Sequence, residues 1–169
     1  AGYSEIARIL GLNSVAERYA DIAKKMAMKW EEMANEGDHY RLAFDRNNTW
    51  SQKYNIIWDK MWNLNIFPNN VISKEINYYL TKQNLYGLPL DSRRDYTKSD
   101  WIMWTAAMSP NREIFEKFVD PLYKYINETT SRVPISDWHD TKTGRMTGFK
   151  ARSVIGGYWI QVLMDKMNH

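Results

Sequence analysis

Within five residues, Ser136-Asp137-Trp138-His139-Asp140, the chain offers two carboxylates, an indole and an imidazole. Hydrolysis by activated water needs one group that takes a proton from water and one that gives a proton to the leaving group, and paired carboxyls can do both. Asp91 and Asp95 lie in a second polar stretch, NLYGLPLDSRRDYTKSDW, so four aspartates qualify by position, and Asp137, Asp140 and Asp91 are the expected catalytic groups. Glu17, Glu75 and Glu116 fall on helical faces, where a solvated role is expected. Asp100 is explained fully as the carboxylate of a helix-capping box begun by Thr97.

The basic residues separate two substrate classes. Arg93, Arg94 and Arg152 can clamp a carboxylate with two parallel hydrogen bonds, which an amino-acid substrate requires and a neutral sugar does not. Thr97-Lys98-Ser99 sets hydroxyls beside a lysine, as some amidohydrolases do, but neighbours at a helix start point in different directions. The expected substrate-binding residues are therefore Arg93, Trp138, His139, Arg152 and Lys98. His139 can also serve as a base near neutral pH. It has neither HExxH spacing nor a second nearby histidine, so no zinc is expected and no residue is assigned to a metal, a Ca²⁺ held by loop carboxylates staying open. Gly156 and Gly157 lack a phosphate-loop context and suit close helix packing, and nothing in the chain calls for a cofactor.

These residues must be positioned by helices. Leu12, Val15, Tyr19, Ile22, Met26, Trp30 and Met33 recur at spacings of three and four, one apolar stripe of a helix. Ser14 and Glu17 read as its capping box, and Gly11 as the left-handed end of a preceding helix over Tyr3 to Leu10. Further helices are expected near residues 50–63, 70–82, 98–108, 110–128 and 149–167, the fourth of these beginning at Ser109-Pro110. Strand signals are nearly absent, leaving room for at most a small hairpin in the last loop. Trp58/Trp62 and Trp101/Trp104 stand at helical spacings and read as core.

The connections alternate between short and long, the long ones spanning about residues 37–49, 83–97 and 129–148. Helices joined by short links run antiparallel, so every second connection falls at the same end of the array. One end is plain and the other elaborated, and the elaborated end carries the polar clusters.

TWSQKYNIIWDKMWNLNIFP, YGLPLDSRRDYTKSDWIMWTA and RVPISDWHDTKTGRMTGFKARSVIGGYWIQVL resemble, in order, the signature blocks of the glutaminase A-like family. The resemblance spans nearly the whole chain. It implies an all-α fold of antiparallel α/α hairpins forming part of an (α/α)6 toroid, the six-hairpin glycosidase-like architecture. It also implies hydrolysis of L-glutamine to glutamate and ammonia, and a secreted, periplasmic or cell-surface location. A full toroid has twelve helices and about seven are read here. The chain, residues 1–169, is thus expected to be a single helical domain that forms the C-terminal part of a larger one. Its partners would be the remainder of the parent chain and a small substrate, glutamine or a glycoside. Two alternatives stay open: a glycoside hydrolase on the same toroid, and a non-catalytic helical module that binds protein or glycan.

Composition sets the outer limits. Lys plus Arg number 23 against 20 Asp plus Glu, and no run of like charge concentrates the excess, so no nucleic-acid partner is expected. No cysteine is present, which removes disulfides, thiol nucleophiles and thiolate-bound metals and leaves the compartment open. No apolar stretch approaches the roughly 18 residues of a membrane span, so no transmembrane segment is expected. Eight Trp, eleven Tyr and five Phe either fill a core or line a site.

Overall fold

The computed structural model describes residues 1–167, and among these seven α-helices and one small sheet are formed. Helices α1 (Gly2–Ile9) and α2 (Asn13–Ala34) make an antiparallel hairpin turned at Gly11, whose φ of +73° only glycine adopts without strain. Ser14 does not cap α2. The helix starts two residues earlier, at Asn13 after Leu12, so Ser14 sits inside the first turn, where no side-chain cap bond forms. Of the expected apolar stripe of α2, Trp30 packs against the core while most of the other members are open. Ala16, Ala27 and Ala34 are the buried residues, while Met26 is 67% exposed and Leu12 50%.

The expected helix over residues 50–63 is shorter, a 3-10 turn at Tyr54–Ile56 followed by α3 (Ile57–Met61). Asp59 ends it by accepting from the amides of Ile66 (3.0 Å) and Phe67 (3.0 Å), which fixes the short link to α4 (Asn70–Leu80). Trp58 stays packed against the core, whereas Trp62 is half exposed. The core centres on α5 (Ser99–Ala107), a helix buried nearly all round through Ile102, Met103, Thr105, Ala106 and Ala107. Around it pack α6 (Arg112–Glu128), a 3-10 segment at Ser153–Trp159, and α7 (Ile160–Met167), where one continuous helix from Phe149 was expected.

Two helix starts differ from the sequence reading for a physical reason. The cap of α6 is Asn111, whose Oδ1 accepts from the Ile114 amide at 2.9 Å, so Ser109-Pro110 is the link itself. At α5 there is no capping box, because Thr97 is claimed by a strand and fully buried. Inside α6, Pro121 can give no bond to the carbonyl of Lys117. The Gln83 amide donates to that carbonyl at 2.7 Å, tying the second long loop to the helix.

The three long loops meet. Strands β1 (Tyr96–Lys98) and β2 (Trp138–Asp140) pair antiparallel, with Tyr96 opposite Asp140, Thr97 opposite His139 and Lys98 opposite Trp138. The sheet therefore joins the second and third loops, where at most a hairpin within the third was expected. The first loop joins them through Ser92 N to Trp50 O (3.0 Å) and Gln52 N to Leu90 O (2.8 Å). No helix among the described residues is long and apolar enough to cross a membrane.

Candidate functional site

Strand alternation sorts the densest sequence cluster onto two sides. His139 and Thr97 are fully buried on one face of the sheet, and Trp138 and Asp140 lie on the other. His139 stacks on Tyr125 at 3.5 Å, and its Nε2 lies 2.8 Å from the Tyr86 carbonyl, so this nitrogen carries the proton. Burial lowers its pKa to about 4, which keeps the ring neutral at physiological pH. The structure gives His139 a packing role rather than the expected contact with substrate.

Asp137, one residue before β2, is fully buried. Its Oδ1 accepts from Arg152 Nε (3.1 Å), and its Oδ2 from Lys98 Nζ (3.1 Å) and from Arg152 Nη2. Burial pushes this carboxyl up, but the bonds from Arg152 and Lys98 outweigh it and hold the pKa below the ordinary value. Lys98 is only 12% exposed and also lies 4.4 Å from the Trp138 ring. The backbone makes this meeting possible. Lys98 ends β1 opposite Trp138, and the Ser99 amide continues the ladder to the Asp137 carbonyl at 2.8 Å. Four expected site residues, Asp137, Lys98, Trp138 and Arg152, are thus brought together from three segments.

The other expected residues stand apart. Asp140 closes a turn, accepting from the amides of Lys142 (3.0 Å) and Thr143 (2.8 Å) and from the Thr143 hydroxyl (2.9 Å). Burial raises its pKa and these bonds lower it further, to a net value below the ordinary one. Asp91 is buried in its own turn with Arg93, which donates from its amide (2.8 Å), Nε (2.9 Å) and Nη2 (2.7 Å). Asp91 and Arg93 border a cleft of about 350 Å³ shared with Ser51, Lys53, Tyr54 and Trp101. Tyr54 and Trp101 stack at 4.0 Å as its wall, so Trp101 is more than core filling.

Two charged groups were misjudged from sequence. Glu75 is 2% exposed rather than solvated, accepting from the Tyr40 amide at 2.7 Å and from the Tyr79 hydroxyl. Burial raises its pKa and lowers that of nearby Lys53, which donates to Ser51 Oγ (2.9 Å), Ser51 O (3.0 Å) and Tyr40 O (3.2 Å). Asp100 is the second. It is 5% exposed and, among the described residues, forms no side-chain cap and leaves its Oδ1 without a hydrogen-bond partner. Burial pushes its pKa up to about 6, and the negative Asp137 adds to the push.

The Trp138 ring is crowded by neighbouring side chains. Lys98 lies over it, Phe149 stacks on it at 5.4 Å and Tyr96 meets it edge-on at 5.2 Å. Among the described residues no group of three or more His, Asp or Glu is placed to hold a metal ion.

This arrangement of helices and loops can be compared with known proteins. The chain is 32% identical over 156 residues to a glutaminase A of Aspergillus oryzae, a match covering 88% of this chain and 22% of the relative. It is 27% identical over 195 residues to a "Probable glutaminase" of Arthroderma benhamiae, covering 96% of this chain and again 22% of the relative. The chain thus spans 22% of the length of these curated relatives. No solved structure matches it. Residues 1–162 match the family described as the glutaminase A six helical-hairpin domain, and the chain belongs to that family.

Proposed function

We propose that this chain works as the C-terminal part of a longer amidohydrolase, in which its loop-rich end forms one wall of a pocket that hydrolyses L-glutamine to glutamate and ammonia. The chain's α/α hairpins would close with those of the parent into an (α/α)6 toroid. Asp137, Lys98 and Arg152 form the fixed electrostatic frame of the pocket, and water is the nucleophile. Export to the periplasm, the cell surface or the medium belongs to the same reading and rests on the family resemblance. The relatives' names support the reaction class.

The observation that carries the reading is the Asp137 cluster. Two carboxyls, Asp137 and Asp100, are pushed in opposite directions by their surroundings, so that one stays ionised while the other can gain and lose a proton near neutral pH. Arg152 keeps 37% of its side chain exposed beside them, as recognition of a substrate carboxylate requires. An aromatic platform at Trp138 would instead favour a glycoside, but Lys98 and Phe149 already pack against its ring. A glycoside hydrolase remains the second reading because of the Tyr54/Trp101 wall of the neighbouring cleft. A non-catalytic binding module is disfavoured, since the loops converge instead of dispersing.

The test is a substrate screen on the intact protein, measuring ammonia from glutamine alongside sugar release from glycosides. Ammonia release is expected. Sugar release without ammonia would replace the first reading by the second.

A further inference from the structure

Asp100 is a buried carboxyl with one oxygen left without a hydrogen-bond partner among the described residues. It belongs to the first turn of α5 and, among the described residues, forms no side-chain cap there. A buried carboxyl whose oxygen has no partner is destabilising, so its presence needs an explanation beyond packing. One turn along α5, the indole Nε1 of Trp104 is also buried and unpartnered. Both residues crowd Gly157. A Cβ there would stand 2.8 Å from Trp104 Nε1 and 3.1 Å from Asp100 Cβ, so only glycine lets the 3-10 segment approach this closely.

Polar and charged groups from several segments lie within electrostatic reach of Asp100. Tyr54 comes from the 3-10 turn before α3 and Tyr158 from the 3-10 segment at Ser153–Trp159, and burial raises the pKa of each phenol. The Asp100 charge is the next cause at Tyr54 and a smaller one at Tyr158, whose hydroxyl donates to Ser99 Oγ at 2.6 Å. Lys98 from β1, Arg152, and Asp137 from the third loop complete the set. Tyr54 also lines the cleft walled by Trp101, the residue next to Asp100. Asp100 does not itself line that cleft; it is linked to it through the neighbouring Trp101 and through Tyr54, which feels its charge.

We infer that Asp100 is the proton-transferring carboxyl of this site and that Asp137, with both oxygens tied to Arg152 and Lys98, is a positioning residue. This rests on the carboxamide-hydrolase reading. As carboxylate, Asp100 takes a proton from water while the water oxygen bonds to the carboxamide carbon. As acid, it returns that proton to nitrogen while the C–N bond breaks. Water and amide become carboxylic acid and ammonia, and Asp100 ends in its starting state. One group can fill both roles when its two forms are both populated near the working pH, as a carboxyl titrating at about 6 allows.

The experiment is a pH profile of kcat and KM in the intact protein, for the wild type, Asp100→Asn and Asp100→Glu. The wild type is expected to show a limb near pH 6. Asp100→Asn should lose at least about a hundredfold in kcat with little change in KM and lose that limb, while Asp100→Glu restores part of both. Wild-type kcat and an unchanged limb in Asp100→Asn overturn the inference. If the intact protein releases sugar and no ammonia, the function reading has failed, and the same three profiles on the glycoside decide the role of Asp100. Release of neither overturns both.

Discussion

His139 and Asp100 are buried titratable groups whose effects on stability run in opposite directions with pH. The unfolded imidazole titrates near 6.5 and the folded one near 4, so between those values the unfolded chain binds more protons. The contribution of His139 is fully present above pH 6.5 and is lost as pH falls towards 4, on the order of 3 kcal/mol in all. Asp100 is raised from 3.8 to about 6, so its contribution is present below 3.8 and lost as pH rises to 6. Denaturant melts from pH 4 to 7 on His139→Gln should show the acid-side loss removed, leaving the falling slope of Asp100. An unchanged profile would mean that His139 is protonated in the folded protein. At this scale the sequence was half legible. It singled out Asp137, Lys98, Trp138 and Arg152, which do meet, but adjacency along the chain is not adjacency in space. Strand alternation sends His139 inward and Asp140 into its own turn. Burial, which distinguishes Asp100, leaves no local signature.

Among the elements, helices were legible and their ends were not. All seven helical regions expected from periodicity are present, because spacings of three and four survive any tertiary context. Caps depend on where the backbone leaves the helical region, and that was set by neighbours: the strand that takes Thr97 and the turn at Leu12 that starts α2 early. The sheet between two loops was invisible because its strands are three residues each and lie far apart in sequence. Capping chemistry separates the two accounts of the helix starts. Asn111→Ala should destabilise by about 1 kcal/mol, since it removes an observed cap bond, whereas Ser14→Ala should stay within about 0.5 kcal/mol. Chemical denaturation measures both, and a larger loss at Ser14 would restore the capping box.

For the whole molecule, the outward apolar side of the first hairpin is the main feature to be explained. Ile9, Leu10, Met26 and Met28 are each more than 60% exposed, on a chain that spans 22% of its relatives' length. Apolar surface of this extent is normally covered, and further hairpins of the same toroid are the covering proposed here. In that setting the loop end is one wall of a closed pocket, where exclusion of water strengthens each charge contact. Residues 1–169 alone should then hydrolyse glutamine negligibly. The most direct test of the central claim is ammonia release from glutamine by the intact protein and its Asp137→Asn variant, at a temperature where circular dichroism shows both folded. Loss of the carboxylate frees Lys98 and Arg152 from their shared partner, and turnover should fall at least about a hundredfold. Undiminished turnover in the folded Asp137→Asn protein would contradict the account and leave the cluster a structural tie between loops.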